Sequence, residues 1–354
     1  MLPPVVSIII PHFNRALLLH ETLASLQKQS FADWEAIVVD DGSVPEEWAK
    51  AQQFDDSRIR FRQRTDGIKG PSRCRNIGVK ESVGRFVMFV DSDDFVAPWC
   101  LAERIAFVEA NPKAAYCVFP VMLFQKTPGD MVTLWNRLDG DNDLERFLRS
   151  DPPWHTSSPM WRRQAIEQLG GFDEEIMYGD DADLHMRALF AAVLNAKASN
   201  QLPDLFIRRS LNDRITNTIS DRLLDSRMNR LKKGTQLVKA YGTLRQQRLW
   251  EGQYIVEAEF LLFNIARSRS RQAQVLKQWK TEWMPSVYYR IVVKTYFVIS
   301  NHLISHAYLL LRLSRRLAML ALPPAFFPKG GGFEAVEIHS SRLLHMKTAL
   351  VENR

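Results

Sequence analysis

The chain has 354 residues, 46% of them hydrophobic and 25% charged, an ordinary balance for a soluble globular protein. That length buries a core without disulfides, and Cys74, Cys100 and Cys117 form no CxxC pair and no zinc-ligand spacing, so reduced thiols are expected. The net charge of +7 is unevenly spread: residues 1–220 hold 25 basic and 31 acidic residues, whereas residues 221–354 hold 22 and 9.

The first segment, MLPPVVSIIIPHFNR, has no basic n-region and no small-residue cleavage site, so no export signal is read there. Its run Val5–Ile10 reads as a buried strand. Leu17, Leu18, Leu23 and Leu26 then mark an amphipathic helix, and WEAIVVD over 34–40 is a second strand ending in the turn Asp41-Gly42-Ser43. A short helix around Glu46–Gln53 and a third strand at Arg58–Phe61 follow. Gly70-Pro71-Ser72 opens a helix, with proline near the first helical position where its missing N–H costs least. Phe86–Val90 is a fourth strand and runs directly into Asp91-Ser92-Asp93-Asp94. This alternation predicts an α/β fold with a parallel, helix-covered sheet.

Residues 111–160 are less regular, with a turn at Pro128-Gly129 and a break at Asp151-Pro152-Pro153. A helix near Arg163–Leu169, the loop Gly170-Gly171-Phe172-Asp173 and a helix from about Asp181 follow. From about 220 the chain reads as helical and basic, which divides it into domains 1–220 and 221–354. Within the second, Val287–Phe327 is apolar but interrupted by Lys294, Asn301, His302, His306 and Arg312. An interfacial amphipathic helix fits this better than a span, with a core or dimer helix as the alternative.

In a parallel sheet of this kind, ligands bind beyond the carboxyl ends of the strands at the switch point. Asp41 and Asp91–Asp94 both follow strand ends and should face one crevice. Two carboxylates one residue apart can hold a hard cation such as Mg²⁺ or Mn²⁺ while leaving positions open for phosphate oxygens. A DxD alone is a weak signal, since such a pair also occurs in a solvated turn or helix cap.

Taken in order, VSIIIPHFNR, VVDDGS, GPSRCRNIG, DSDD, GGFDEE and GDDADLHMRA resemble the motifs of the family 2 glycosyltransferases over about residues 5–215. The resemblance implies a GT-A fold and transfer of a sugar from a nucleotide-diphosphate donor, with UDP-sugars favoured. It places Pro11 and Asn14 in the opening motif at the nucleotide-sugar site and Asp41 on the base. It puts Arg75 and Asn76 near the donor, and Asp91 and Ser92 beside Asp93, the metal ligand. Asp181 is implied as general base, with Asp180 standing where the family usually has Glu. A single displacement with such a base inverts the anomeric carbon. Asp180, Asp181 and Asp183 could instead cap the following helix. Many members carry a histidine later in the chain, where this one has Ser210. Arg208, Arg209 and Arg214 could meet the diphosphate in its place, or lie exposed. Trp154, His155 and Trp161 could shape an acceptor site or be ordinary buried aromatics.

The resemblance further implies a glycan or lipid-linked acceptor, a bacterial cell-envelope or exopolysaccharide role, and a location at the inner face of the cytoplasmic membrane. The basic tail suits an anionic membrane surface, and no nucleic-acid motif is present. The competing reading is a catalytically degenerate nucleotide-sugar-binding or membrane-scaffold protein on the same fold. A Rossmann dehydrogenase fails for want of GxGxxG after the first strand, and a P-loop enzyme for want of GxxxxGK[ST].

Overall fold

The computed structural model describes residues 3–209 apart from 66, 68, 136 and 139–141, residues 220–263, and isolated helical positions beyond, among them Leu350. Val287–Phe327 therefore lies largely outside the described residues, as do Ser210 and Arg214. The described residues fall into two compact units. One comprises Met1–Asp141, Pro152–Asn217 and Gly332–Arg354, the other Asn142–Asp151 and Thr218–Gly331.

The first unit begins β1 (Val6–His12), α1 (Ala16–Gln27), β2 (Trp34–Asp40), α2 (Pro45–Ala51), β3 (Ile59–Gln63), α3 (Pro71–Glu81) and β4 (Phe86–Phe89). It continues with β5 (Phe95–Val96), α4 (Cys100–Ala110), β6 (Tyr116–Val118) and β7 (Val121–Phe124). In the second unit, α5 (Asp143–Leu148) precedes a return to the first through β8 (Pro159–Arg162), α6 (Arg163–Gln168), α7 (Asp180–Phe190), β9 (Asn195–Lys197) and β10 (Leu205–Arg208). The second unit resumes with α8 (Asp221–Tyr241) and α9 (Leu244–Phe263).

The main sheet has the order β3-β2-β1-β4-β8-β6-β9, and β5-β10-β7 form a smaller one. Strand β1 pairs in parallel with both β2 and β4, so the order reverses there. Helices cover both faces of β1, and its alternation divides the core accordingly. Ile8 and Ile10 join Ala36 and Val38 in the larger apolar cluster, while Ile37 and Val39 face Cys74 of α3. Close approach of α3 depends on Gly78, where a Cβ would stand 2.3 Å from Ile9 Cγ2.

The strands expected to be parallel, β1 to β4, are so, and the sheet becomes mixed beyond them, because β8 runs antiparallel to β4 and to β6. The strands β6, β7 and β8 are three or four residues long and wholly or almost wholly buried. Runs that short carry no alternation, which is why 111–160 reads as irregular. Their register has a consequence for the site: with Met88 opposite Met160, the residues just before β8 lie beside the carboxyl end of β4.

In the second unit, Ser220 caps α8 by accepting from Leu223 N at 3.2 Å. Helices α8 and α9 are joined by a buried ion cluster in which Glu257 accepts from Arg227 Nε (2.6 Å) and Arg230 Nη2 (2.9 Å). Gln253 Nε2 donates to Leu148 O at 2.7 Å and ties α5 to this pair. Among the described residues, no helix is long and apolar enough to cross a membrane.

Candidate active site

The crevice beyond β2 and β4 is built from the first turn outward. Asp40 is buried and closes the DGS turn: Oδ2 accepts from Gly42 N (3.1 Å) and Ser43 N (3.0 Å), and Oδ1 accepts from the Ser43 hydroxyl. Asn14 stands at a φ of 50°, a left-handed conformation that Asn tolerates. It knits the end of β1 to the same turn, donating from its backbone N to Ser43 Oγ (2.8 Å) and accepting from Val44 N at Oδ1 (2.9 Å). Pro11 sits within β1, paired with Val39. Asp41 points instead toward the start of α3, where Gly70 N donates to both of its oxygens at 3.0 and 2.9 Å. The buried Arg64 places Nε 2.9 Å from Asp41 Oδ1. The carboxylate expected to meet a nucleotide base is thus oriented by a backbone N–H and a guanidinium.

Arg75 organises the centre. Its Nη1 donates to Asp180 Oδ2 at 2.6 Å and its Nη2 to Asp91 Oδ1 at 2.9 Å. One buried guanidinium on α3 therefore links the DSDD strand end to the GDD start of α7, which are 89 residues apart in the chain from Asp91 to Asp180. Ser72 Oγ adds a bond of 3.0 Å to Asp180 Oδ2. Burial favours the neutral form of Asp91, but the Arg75 guanidinium, with smaller help from His155 and Arg15, holds it below the usual carboxylate range.

Asp93 differs. Burial and the Asp91 charge push its carboxyl up, and Arg15 Nη1 pairs with its Oδ2 at 2.8 Å. Asp94 turns inward, accepting from Arg208 N at 3.1 Å. Burial, then Asp91 and Asp93, raise it well above the ordinary value. Ser92 is buried.

This donor set fits a hard divalent cation. Asp91 and Asp93 offer carboxylate oxygens at the strand end, and the mutual repulsion that raises Asp93 is what a dication would relieve. Among the described residues, no three Asp, Glu, His or Cys side chains converge as a complete cage, in keeping with an ion that takes most ligands from phosphate and water.

On α7, Asp181 is half-buried and accepts from Ala182 N at 2.8 Å. Burial, then the neighbouring Asp180 carboxylate, push its carboxyl up to about 7. Asp183 is buried against Arg187 Nε at 2.8 Å. Arg187 in turn donates to Leu169 O and Gly171 O, both at 2.6 Å, so this pair braces the Gly-Gly-Phe-Asp loop. Asn76 meets the same loop from α3: Oδ1 accepts from Phe172 N at 2.8 Å and Nδ2 donates to Phe172 O at 2.9 Å. Gly171, at a φ of 68°, leaves room for that amide, since a Cβ would stand 2.5 Å from Asn76 Oδ1.

The structure thus brings Arg75, Asp91, Asp93, Asp180 and Asp181 together, whereas Asn76 and Asp183 hold the loop beside them. Arg208 braces the strand end, with Nε donating to Asp93 O at 2.9 Å and Nη2 to Glu21. Arg209 is anchored through its backbone N to Phe124 O at 2.7 Å. Of the two readings of Trp154 and Trp161, the buried one holds. Both are fully buried, Trp161 stacked on Tyr116 with ring centres 4.2 Å apart, so neither offers a face to a sugar. His155 does reach the crevice, with Nε2 4.0 Å from Asp91 Oδ2. Arg15, Arg64 and Ser72 are site residues that sequence reasoning missed. Arg15 directly follows Asn14, and that adjacency was the available signal.

Residues 7–170 match the model of glycosyl transferase family 2. That segment, a little under half of the chain, is similar to the family 2 glycosyltransferase domain. Among curated relatives, a Campylobacter jejuni protein named GalNAc(5)-diNAcBac-PP-undecaprenol beta-1,3-glucosyltransferase is 40% identical over 125 residues, or 35% of this chain and 40% of that protein. An Escherichia coli UDP-Glc:alpha-D-GlcNAc-diphosphoundecaprenol beta-1,3-glucosyltransferase is 39% identical over 106 residues, 30% of this chain and 42% of that one. The matches span less than half the length of these relatives. Among solved structures, Staphylococcus aureus TarS 1–349 in complex with UDP superposes with a TM-score of 0.52 at 20% identity, covering 91% of this chain and 90% of that one. The likeness is one of fold, and the sheet with its flanking helices has the GT-A architecture expected of it. The family match ends at residue 170, before the GDD segment, so the role of Asp181 rests on geometry.

Proposed function

We propose that the chain transfers a hexose from a UDP-sugar to a hydroxyl of a glycan or lipid-linked acceptor, with inversion. The observation that carries this reading is the Arg75 bridge, which sets a half-buried carboxylate of pKa about 7 across from a cation-compatible strand end. The relatives named as acting on undecaprenol-diphosphate-linked sugars support the lipid-linked acceptor class.

In this reading Asp41 accepts from a ring N–H of the base, and Arg75 fixes the position of Asp91 and of the α7 start. Asp181 accepts the proton of the acceptor hydroxyl. The acceptor oxygen bonds to the anomeric carbon as the bond from that carbon to the diphosphate oxygen breaks, and the electron pair leaves with the diphosphate. One displacement with no enzyme-bound intermediate inverts the centre. Asp93, with Asp91, would hold Mn²⁺ or Mg²⁺, which supplies neutralisation of the departing diphosphate's charge. Because Asp181 must be ionised to act, the rate should rise with pH and level off above about 7.

The two-domain division at about residue 220 belongs to the same proposal, with the basic part resting on an anionic membrane surface at the inner face of the cytoplasmic membrane. Exposed Arg222, Lys232 and Lys239 on α8 support that placement.

The test is calorimetric binding of UDP, GDP, TDP and CDP with Mn²⁺ and with chelator, followed by transfer assays on Asp93→Asn and Asp181→Asn. Both variants should lose transfer, and only Asp93→Asn should weaken metal-dependent UDP binding. Folded protein that binds no nucleotide would replace this reading with the degenerate scaffold.

A further inference from the structure

Arg15 and Asp93 are brought together by backbone contacts that do not involve their own side chains. The Arg15 carbonyl accepts from Leu19 N at 2.9 Å, in the first turn of α1. Its neighbours on both sides are held: Asn14 N donates to Ser43 Oγ at 2.8 Å, and Ala16 N to Glu47 Oε2 at 3.0 Å. Further along α1, the buried Thr22 hydroxyl donates to Asp94 O at 2.7 Å and sets the helix against the DSDD turn. Asp94 N closes that turn on Asp91 O at 3.1 Å, and Arg208 Nε holds Asp93 O at 2.9 Å. The two backbones are thus in register before Arg15 Nη1 meets Asp93 Oδ2 at 2.8 Å. The side chains in this pair keep 28% and 17% of their exposure, and an ion pair so placed adds little stability. What it fixes is the direction of the Asp93 carboxylate.

The two carboxylates of the strand end are treated alike. Arg75 Nη2 takes Oδ1 of Asp91, and Arg15 Nη1 takes Oδ2 of Asp93. Each carboxylate has one oxygen committed to a guanidinium and can offer a cation the other. Ligation through single oxygens suits Mg²⁺, which demands a near-regular octahedron at about 2.1 Å and keeps several waters. Ca²⁺, at about 2.4 Å, accepts more oxygens and takes carboxylates through both at once. The two oxygens of one carboxylate lie too close together to fill two corners of the smaller octahedron.

We propose that Arg15 is a positioning residue that holds Asp93 to single-oxygen ligation and so sets the preference of the site for a small octahedral cation over Ca²⁺. This rests on the reading of Asp91 and Asp93 as the cation's ligands. Removing the guanidinium also removes a positive charge, which strengthens the binding of both dications alike. The ratio of the two affinities cancels that effect and reports the ligand geometry.

The test loads the full chain with UDP and Mn²⁺, reads free Mn²⁺ by electron paramagnetic resonance, and displaces it with Mg²⁺ or Ca²⁺. Wild type, Arg15→Ala and Arg15→Lys are compared. In Arg15→Ala the ratio of the Ca²⁺ to the Mg²⁺ dissociation constant should fall about tenfold, the low end of what a lost partner of a metal ligand costs. Arg15→Lys, which returns a cationic donor to Oδ2, should keep the wild-type ratio. An unchanged ratio in Arg15→Ala, or loss of all three ions together in that variant, overturns the proposal while the cation reading stands. A ratio that falls as far in Arg15→Lys as in Arg15→Ala overturns it too, since a donor to Oδ2 would then not be what selects the ion. A wild type that takes up no Mn²⁺ in the presence of UDP overturns the cation reading and the role of Arg15 with it.

Discussion

Asp181→Asn tests whether the proposed base is an ionised group that the fold tolerates at a cost. The unfolded carboxyl titrates near 3.9, whereas in the folded protein burial and Asp180 push it to about 7. A group raised in this way binds more protons folded than unfolded between those values, so stability falls as pH rises from about 4 to about 7. Three units correspond to about 4 kcal/mol, and partial exposure of Asp181 reduces this to about 1–2 kcal/mol. Asparagine keeps the acceptor for Ala182 N and removes the charge. The variant should therefore unfold at higher urea than wild type at pH 8, by about 1–2 kcal/mol in ΔG, and show no advantage at pH 4. Transfer should be lost at every pH. Equal stability differences at pH 4 and pH 8 would refute the raised carboxyl and with it the physical basis for assigning Asp181 as the base.

Arg75→Met should leave Asp91 and Asp180 facing each other without a cation, costing about 3–5 kcal/mol in denaturant unfolding and abolishing transfer. Asp204→Ala strands the fully buried Arg104, whose Nε and Nη2 it accepts at 2.7 and 2.6 Å. A loss of similar size is expected in the same assay, since the uncompensated guanidinium cannot reach water. Gly171→Ala forces a side chain onto the Asn76 amide at a positive φ and should cost about 1–3 kcal/mol, read as a lower Tm. Removal of residues 285–354 should release the protein from anionic vesicles in sedimentation, with unchanged pelleting as the refuting result.

Much of the catalytic half was legible because local chemistry is periodic. The buried β1, β2 and β4 read as strands from their apolar runs, and Asp41 and Asp91–Asp94 follow from where the runs of β2 and β4 stop. The mixed sheet was not legible, since β6 and β8 are too short to carry a period and strand direction is a tertiary choice. That choice decides the site: antiparallel β8 delivers His155 to Asp91 and buries Trp154 and Trp161 behind it. In the sequence Asp181 reads as a base ahead of a helix cap, and Asp180 as support or solvated charge. Only packing of α3 against both the DSDD strand end and α7 assigns Asp180 to Arg75 and leaves Asp181 half-buried with a raised pKa. Composition and spacing determine which residues can carry charge at a strand end. Desolvation and the choice of partner determine which of those charges survive, and both arise only when segments distant in sequence close on one another.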